Sequence, residues 1–588
     1  MHDASALGSA PLLGLLSPQL QEQLLAAARP VRLHAQEWLF REGDPGDCLY
    51  VLESGRVRVV VERDDELRVL TTLGPGAALG ELAVLTGAPR SASVVALRDS
   101  DLLEIDGARF EELLHQEPEL GAGLARALAD RLQRGGTLEP TEAPVAVVAV
   151  ATSPGDAGDR LWNALQEAFG ELGSTTSLSG QPVDWPDPFL WGRGLGDLER
   201  SHAFVLLRAG LEDTAWSSFA LRQADRVLAL ADGTLPPTSS LPAGSDLVFL
   251  GTPAVAAVAA WAERVSPRAQ HVVPTEAELA EAAHRIARRL TGRSLGLVLS
   301  GGGARAFAHI GVLDVLSREG IVVDRFGGCS MGAFVGAMAA LGWEPEAMVD
   351  ASNAEIARRA PFGDYTFPRH ALIRARRAAA MLKRLFGDTA LEQLARPLYT
   401  VSADLLSSRM IVHRTGELWE VVGASMAIPG LAPPVPRRAE LLVDGGILNN
   451  LPIDVMVEGE KGPVLAVDVM RRLESVDLES GGDALMPTIL ETLSRATVLG
   501  SVGRAEANRK LADVLVTPDV QDIPLRGFRH LSRAVDAGRR AAEEALADGL
   551  VERLERVRQA TYARTIREAV ELEPTAHGAA ATTSPSAS

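Results

Sequence analysis

Hydrophobic and polar positions change their spacing twice along the chain, which divides it into three predicted folding units. In the first unit, residues 10–134, short apolar runs alternate with glycine- and proline-containing turns, a pattern typical of short antiparallel strands. The predicted strands are Trp38–Phe40, Cys48–Glu53, Arg56–Glu62, Leu67–Leu73, Ser93–Ala96 and Asp101–Ile105. The predicted helices are Ser17–Ala28, Ala108–Gln116 and Pro118–Gln133. Strands at this spacing favour a small β-barrel or jelly roll.

The second unit, residues 145–274, follows a predicted linker at residues 135–144. Its predicted strands are Val145–Ala151, Ala203–Leu207, Arg226–Leu230 and Asp246–Gly251. Its predicted helices are Asp159–Leu172, Trp216–Gln223 and Pro253–Val265. This alternation indicates an α/β domain. The loop Thr152–Gly158 lies where a P-loop would lie but lacks the final Gly-Lys-Ser/Thr. We interpret the unit as a scaffold or coupling domain, with a vestigial nucleotide-binding fold as the alternative.

The third unit, residues 295–552, follows a predicted linker helix at residues 275–294 and opens with two strand–turn–helix patterns. Leu295–Leu299 and Ile321–Phe326 are apolar runs of the kind found in buried parallel strands. A glycine loop follows the first run. A Gly-x-Ser-x-Gly motif follows the second run and leads into a helix of small residues, Ala333–Leu341. The pattern again predicts an α/β domain.

The C-terminal region is predicted to form a long helix followed by a disordered tail. Leu531–Val570 has a continuous helical pattern, and residues 571–588 are rich in Ala, Thr and Ser and are predicted to be disordered. We therefore expect a multidomain protein in which a β-barrel domain with flanking helices precedes two α/β domains.

The composition limits the cellular setting and the partners. Of the 588 residues, 46% are hydrophobic and 23% charged, which is enough apolar material for several cores. Cys48 and Cys329 provide neither a disulfide framework nor zinc-ligand spacing, which favours a reducing compartment. Neither a signal peptide nor a run of about 18 apolar residues is present. A net charge of −19 argues against nucleic-acid binding. We expect a cytoplasmic protein.

A short helix and one arginine in the first unit form a candidate phosphate site. Residues 79–92 read LGELAVLTGAPRSA, so free helix amides near Glu81 and the guanidinium of Arg90 would hold one phosphate. The stretch resembles the phosphate-binding cassette of cyclic-nucleotide-binding domains. The resemblance assigns the nucleotide site to Gly80, Glu81, Leu82, Ala83, Arg90 and Ser91. It implies that Glu81 binds the ribose 2′-hydroxyl and Arg90 the cyclic phosphate of cAMP or cGMP, a regulatory ligand.

The alternative for this site is a barrel of the same family that has lost its ligand. Glu81 and Arg90 would then pair with each other. A transcription factor would need a helix-turn-helix after the barrel, whereas the chain continues into the linker at residues 135–144.

Two Gly-x-Ser-x-Gly motifs occur, around Ser294 and Ser330, and their contexts differ. Ser294 precedes a strand and is not followed by a helix, so it is predicted to be a loop serine. Ser330 ends a strand and opens a helix, the arrangement of a nucleophile elbow. A Rossmann fold competes with this interpretation, because residues 301–306 fit G-x-G-x-x-A and Asp324 would be the ribose-binding acid. That reading leaves the serine elbow unexplained.

A partner for Ser330 is sought downstream, where Asp444 ends a predicted strand and precedes two glycines. The glycine loop with arginine, Gly-x-Ser-x-Gly and Asp-Gly-Gly, in this order, resemble patatin-like phospholipases over residues 295–468. Residues 401–456 resemble the neuropathy target esterase branch in particular. The resemblance implies a dyad without histidine or cofactor, in which Ser330 is the nucleophile and Asp444 the general base. It places the oxyanion hole at Gly301, Gly302, Gly303 and Arg305.

Other polar residues near these motifs are interpreted as structural: His309, Cys329, Asp404 and His413. Ala306 stands where the family usually has glycine, for which we expect a small steric cost.

Residues 368–384 are strongly basic on an acidic protein. They fit either an amphipathic helix that approaches anionic lipid headgroups or a solvated helix face.

The function predicted from these patterns is hydrolysis of phospholipid or lysophospholipid acyl esters through an acyl-enzyme on Ser330. The N-terminal barrel would regulate the hydrolase by binding a cyclic nucleotide, and the protein would contact the inner face of the membrane peripherally. The alternative is a cyclic-nucleotide-sensing scaffold whose hydrolase domain is weak or inactive.

Overall fold

The computed structural model describes residues 28–63, 66–75, 77–116, 146–186, 188–212, 214–231, 241–459, 462–470 and 499–568. Within these residues the chain forms three sheets, one in each of the predicted units. Four predicted segments lie outside the described residues: Ser17–Ala28, Pro118–Gln133, the linker at 135–144 and the tail at 571–588. Of these segments, only Ala28 is described.

The first unit is an antiparallel barrel of six strands. The strands are β1 Arg29–Leu33, β2 Trp38–Phe40, β3 Cys48–Arg63, β4 Glu66–Leu73, β5 Ala78–Leu79 and β6 Ser93–Asp106. The described helices are α1 Glu81–Thr86 and α2 Gly107–Gln116. Strand β3 pairs with β6 along most of its length. The sequence predicted two strands in place of each, which was wrong. Around Gly55 the register shifts as in a β-bulge and the ladder continues, so the glycine does not end the strand.

The second unit is a parallel sheet covered by helices on both faces. Its strands are β7 Ala146–Thr152, β8 Thr175–Leu178, β9 Phe204–Gly210, β10 Arg226–Ala231, β11 Asp246–Leu250 and β12 Gln270–Val273, in the order β12-β11-β10-β7-β9-β8. Its helices are α3 Asp156–Leu172, α4 Pro188–Ser201, α5 Ala215–Gln223, α6 Val255–Val265 and α7 Leu279–Leu290. The α/β prediction is confirmed, whereas β8, β12 and α4 were missed. Strand β8 is a polar, half-buried edge strand, and α4 contains three glycines that weaken a helical pattern.

Helix α7, assigned to a linker by the sequence, packs within the second unit. Its buried Ala283 and Ile286 belong to the same apolar core as Leu161 and Leu165 of α3. The helix also contacts the third unit, where Arg288 donates to both carboxylate oxygens of Asp324, at 2.6–3.2 Å. It therefore connects the second and third units through packed contacts.

The third unit is a mixed sheet of eight strands. These are β13 Gly296–Leu299, β14 Arg325–Cys329, β15 Leu398–Asp404, β16 Arg409–His413, β17 Val435–Arg437, β18 Glu440–Asp444, β19 Val464–Val467 and β20 Val514–Val516. Strands β15, β14, β13, β19 and β20 are parallel neighbours, and β18 lies antiparallel beside β15. The helices are α8 Ala308–Arg318, α9 Met331–Ala340, α10 Pro345–Ser352, α11 Arg376–Phe386, α12 Leu418–Ser425, α13 Ile453–Gly459, α14 Val502–Arg509, α15 Leu531–Ala547 and α16 Leu550–Glu568.

Two predictions for this unit were wrong at element boundaries. The apolar run Ile321–Phe326 is not the strand itself, because β14 begins only at Arg325. The long C-terminal helical pattern is two helices, broken at Gly549, whose φ of 82° ends α15. Both boundaries depend on backbone turns that apolar periodicity does not report.

Asp324 precedes β14 and has a structural task. Besides pairing with Arg288, its carboxylate accepts the backbone N–H of Leu295 at 2.9 Å. It lies at the N-terminal ends of β13 and β14, whereas the glycine loop follows the C-terminal end of β13. The two features lie at opposite edges of the sheet, which excludes the Rossmann alternative for residues 301–306 and Asp324 that the sequence had already disfavoured.

The barrel is attached to the second unit through buried charges. The guanidinium of Arg98 donates to the carbonyl of Gln223 at 2.7 Å and pairs with Glu199. Arg56 pairs with Asp225 at 3.1 Å. The four charged side chains are 3–5% exposed, and because buried charges are costly unless paired, the barrel is held in a defined position.

No helix among the described residues is long and apolar enough to cross a lipid bilayer.

Candidate active site

Ser330 lies in a sharp turn between β14 and α9. Its backbone has φ 54° and ψ −125°, a strained conformation for a residue with a side chain. The turn is so tight that a Cβ at position 328 would lie 2.7 Å from the amide nitrogen of Ala333, and one at position 332 would lie 2.4 Å from the carbonyl of Leu299. The two glycines of the motif are therefore steric requirements, and the turn has the geometry of a nucleophile elbow.

The elbow is supported by Ser425, the last residue of α12. The backbone N–H of Ser330 donates to the Ser425 hydroxyl at 2.9 Å, and that hydroxyl donates to the carbonyl of Val401 at 2.6 Å. Ser425 is fully buried. Sequence reasoning missed this residue because its role comes from a segment almost a hundred positions away.

We expect Ser425→Ala to destabilise the elbow, because the buried N–H of Ser330 would lose its acceptor. The expected loss is about 1–3 kcal/mol in the free energy of unfolding, with a lower kcat and a nearly unchanged KM. Urea unfolding and ester hydrolysis measure both. Ser352→Ala is the matched control, since Ser352 is equally buried and its hydroxyl has no partner within the described chain. Equal losses in the two variants would contradict the support assigned to Ser425.

Asp444, at the end of β18, meets Ser330 directly. The Ser330 hydroxyl donates to Oδ2 of Asp444 at 2.7 Å, and the backbone N–H of Gly446 donates to Oδ1 at 2.8 Å. The thiol of Cys329 also faces Oδ1, at 3.7 Å. Burial raises the pKa of Asp444 to about 6, and the hydrogen bonds from Ser330, Gly446 and Cys329 limit the rise. The carboxylate is thus a stronger base than a solvated aspartate.

The glycine loop lies beside this pair, and two of its glycines reach the cavity. Gly302 and Gly303 line it together with Ser330 and Asp444. The N–H of Gly301 instead donates to the carbonyl of Asn450 at 3.1 Å.

Asn450 and Gly301 are joined by a second hydrogen bond. The side-chain amide of Asn450 donates to the carbonyl of Gly301, also at 3.1 Å. The guanidinium of Arg305 donates to the carbonyl of Ile523 at 2.7 Å, which fastens the segment 521–528 to the loop. Among the predicted oxyanion residues, Gly301 and Arg305 therefore have structural partners, and Gly302 and Gly303 have access to the cavity.

The cavity above Ser330 has a volume of about 240 Å³. Its lining is mainly apolar and includes Leu382, Trp419, Met426, Ile428, Leu431 and Phe528. Helix α11 forms one wall, with Met381 and Phe386 buried behind it. The apolar face of the predicted basic segment is therefore turned into the protein.

The other polar residues singled out in the sequence have structural contacts. His309 is buried and its Nε2–H donates to the carbonyl of Ser300 at 2.9 Å, and burial lowers its pKa to about 4. His413 bonds the hydroxyl of Ser402. Asp404 accepts the N–H groups of the turn after β15 and of Leu441. Neither histidine nor Asp404 bonds to Ser330 or Asp444, whereas Cys329 contacts the carboxylate.

The predicted nucleotide residues gather around α1. Arg90 is 4% exposed and donates to the carbonyl of Gly80 at 3.1 Å, while its guanidinium lies 4.3 Å from the ring centre of Phe40. Glu81 is the first residue of α1 and is 4% exposed. The remaining predicted residues are Leu82 and Ala83 of α1 and the exposed Ser91. The site therefore has one buried cation and one buried carboxylate at the start of a short helix.

Comparison with known proteins identifies the class of the two terminal units. Residues 30–117 match the cyclic nucleotide-binding domain, and residues 297–457 match the patatin-like phospholipase domain. The chain is thus a carboxylic ester hydrolase of the patatin type that carries a cyclic-nucleotide-binding domain.

The relatives place it more narrowly. An uncharacterized NTE family protein of Mycobacterium tuberculosis is 34% identical over 574 residues, which cover 92% of this chain and 96% of that protein. The chain belongs to the NTE family. Lysophospholipase NTE1 of Cryptococcus neoformans is 28% identical over 641 residues, 91% of this chain and 39% of that one. Patatin-like phospholipase domain-containing protein 6 of Homo sapiens is 29% identical over 532 residues, 76% of this chain and 38% of that one.

Proposed function

We propose that this chain hydrolyses acyl esters of lysophospholipids and phospholipids with Ser330 as nucleophile and Asp444 as general base. The observation that carries the proposal is the 2.7 Å hydrogen bond from the Ser330 hydroxyl to Asp444, at the floor of an apolar cavity. The names of two relatives, a lysophospholipase and a phospholipase-domain protein, agree with this substrate class.

The reaction begins when Asp444 accepts the Ser330 proton and the serine oxygen attacks the ester carbonyl. The N–H groups of Gly302 and Gly303 hold the negative charge that develops on the carbonyl oxygen, a contribution of about 2.7–4 kcal/mol per donor in measured cases. The alcohol leaves with the proton from Asp444, and the acyl group stays on Ser330. Water then gives a proton to Asp444 while its oxygen attacks the acyl carbon. The bond to Ser330 breaks, the fatty acid leaves, and the serine oxygen takes the proton back from Asp444.

The apolar cavity serves this chemistry in two ways. It accommodates an acyl chain, and it excludes water from Asp444, which keeps the carboxylate basic enough to accept a serine proton. Every step of the proposed reaction uses only the chain's own residues, the substrate and water. Since the proposed substrates lie in lipid surfaces, the activity implies peripheral contact with a membrane.

A hydrolysis assay on a panel of lipids tests the substrate class. Lysophosphatidylcholine, phosphatidylcholine, monoacylglycerol and triacylglycerol with the same acyl chain are supplied at equal concentration, and fatty acid release is measured. We expect release from the lysophospholipid and phospholipid by the wild type and none by Ser330→Ala. Hydrolysis confined to the neutral glycerides would contradict the proposed class.

We further propose that the barrel binds a cyclic nucleotide through Arg90 and Glu81 and thereby regulates the hydrolase. Strand β6 begins just after Arg90 and continues to Arg98, which is anchored on Glu199 of the second unit. Binding of the cyclic phosphate at Arg90 could therefore shift strand β6 and the buried ion pair that joins the barrel to the second unit. The second unit in turn contacts the hydrolase through Arg288 and Asp324.

Calorimetric titration of cAMP and cGMP into the full chain tests this site. We expect the wild type to bind one of the two, and Arg90→Ala to weaken binding by about tenfold or more, because a buried charge-assisted contact is lost. Arg109→Ala is the control, as Arg109 is partly exposed and pairs with Glu112. Equal affinity in the two variants, or no heat with either nucleotide in the wild type, would reject the assignment.

A further inference from the structure

A short hairpin at the rim of the cavity exposes two aromatic rings. Tyr365 and Ile373 form an antiparallel bridge, and Thr366 donates its N–H to the carbonyl of Leu372 at 3.0 Å. The side chain of Phe367 is 87% exposed and that of Tyr365 59%. Burial of these two exposed rings against an apolar partner would be favourable, because it would remove apolar surface from water.

The hairpin is built into the wall of the active-site cavity. Ile373 lines the cavity and donates its N–H to the carbonyl of Leu431, another lining residue, at 3.0 Å. On the other side, Arg526 lines the cavity and donates to the Tyr365 hydroxyl at 3.0 Å. Whatever binds the tip of the hairpin therefore lies next to the cavity that leads to Ser330.

Positive charge surrounds these rings. Four exposed arginines belong to the hairpin and to the segment after it: Arg369, Arg374, Arg376 and Arg377. Within the described part of the chain, none of the four is paired with a carboxylate, unlike Lys383 and Arg384 further along. On a chain of net charge −19, such a cluster points to an anionic surface.

The exposed aromatic rings are not continuous with the apolar face of helix α11. The buried side chains of that helix, Met381, Leu382 and Phe386, pack into the core and the cavity wall. The sequence left residues 368–384 open between an amphipathic helix on lipid headgroups and a solvated helix face. The arrangement instead leaves the helix facing inward and the hairpin facing outward.

We propose that the hairpin from Tyr365 to Ile373 docks the protein on an anionic lipid surface, with Phe367 entering the acyl layer and the arginines contacting lipid phosphates. Aromatic side chains with flanking cations are the usual composition of a lipid-interface contact. Docking in this way presents the cavity rim to the membrane, so that a lipid can enter without crossing water. The inference rests on the proposed lipid activity for its purpose.

Co-sedimentation with vesicles of phosphatidylcholine and phosphatidylserine tests the docking independently of catalysis. The Ser330→Ala chain is used throughout, so that lipid is not consumed. We expect Phe367→Ser to lower vesicle affinity by about tenfold or more, the effect of losing one buried aromatic ring. Arg369→Gln should lower it about fivefold on these vesicles and hardly at all on pure phosphatidylcholine.

The matched control is Val183→Ser, because Val183 is 95% exposed and belongs to the second unit, not to the hairpin. It should bind vesicles as the parent does. Phe367→Leu keeps an apolar tip and should retain most of the binding, which separates insertion from a folding defect. Equal vesicle binding by Phe367→Ser and its parent would overturn the proposal, as would absence of vesicle binding by the parent, which would indicate a protein partner.

In chains that keep Ser330, hydrolysis of lipid in vesicles is compared with hydrolysis of a water-soluble p-nitrophenyl ester. Phe367→Ser should lose vesicle hydrolysis in proportion to binding and change soluble ester hydrolysis by less than about twofold. Normal vesicle binding without any lipid hydrolysis by the wild type would reject the proposed function and leave the docking intact. Lipid hydrolysis unaffected by Phe367→Ser would reject the docking alone.

Discussion

Replacing Ser330 by alanine is expected to lower kcat for a p-nitrophenyl acyl ester by about 10⁴-fold or more, because no acyl-enzyme can form. Asp444→Asn should have an effect of similar size, since an amide cannot accept the serine proton from 2.7 Å away. KM should change little in both variants, because the apolar cavity that holds the acyl chain is retained. Initial-rate kinetics over a range of ester concentrations separate the two parameters.

The chain contains its own control for this experiment. Ser294 is the centre of the second Gly-x-Ser-x-Gly motif, is buried, and has a hydroxyl without a partner within the described residues. It lies in a loop before β13, so Ser294→Ala should retain activity. Loss of hydrolysis in Ser294→Ala with normal folding, or its retention in Ser330→Ala, would contradict the assignment of the nucleophile.

The pH profile is expected to follow the ionisation of Asp444. The base acts only as carboxylate, and burial raises its pKa to about 6. Hydrolysis should therefore be full above that pH and fall about tenfold for each pH unit below it, to about a hundredth near pH 4. A pH series of kcat/KM at constant ionic strength measures this. An acid limb centred near pH 4 would mean that the carboxylate is solvated in the working enzyme.

Cys329 provides a finer test of the same carboxylate. The groups that face Asp444 are the Ser330 hydroxyl, the Gly446 N–H and the Cys329 thiol, and each hydrogen bond favours the ionised form. Removing the thiol in Cys329→Ala should move the acid limb to higher pH, by less than about one unit because a thiol is a weak donor. A shift to lower pH would show that the thiol does not donate to Asp444.

The part of the site that could be predicted from the sequence is the part whose constraints are local. The elbow needs small residues at 328 and 332 because neighbouring backbone atoms leave no room for a Cβ. Likewise, a Cβ at position 445, after Asp444, would lie 2.4 Å from the carbonyl of Val401. Because these positions require glycine, the sequence shows a glycine at a fixed distance from Ser330 or Asp444, and the motif can be recognised.

The contacts missed from the sequence join distant segments. Ser425 supports Ser330 across 95 positions, and Asn450 holds the Gly301 backbone across 149. A serine at a helix end and an asparagine after a loop carry no local sign of these tasks. The contact of Arg305, which the sequence assigned to the oxyanion hole, could not be foreseen for the same reason, because its partner Ile523 lies 218 positions away.

The fold was predictable where periodicity alone decides it. The hydrophobic periodicity predicts the three units correctly. It does not predict the continuous strands β3 and β6, because a glycine in a β-bulge cannot be told from a glycine in a turn by the sequence pattern. For the basic segment at 368–384 the pattern left two alternatives open, and it could not say that the apolar face of its helix lines the cavity.

Covalent labelling by a fluorophosphonate, which reacts with activated serines, shows which serine of the chain is the nucleophile. Peptide mapping by mass spectrometry identifies the modified residue and its rate of modification. We expect a single adduct on Ser330, formed at least about a hundredfold more slowly in Asp444→Asn, because the carboxylate activates the hydroxyl. An adduct on another serine, or labelling of Ser330 at the same rate in Asp444→Asn, would contradict this expectation.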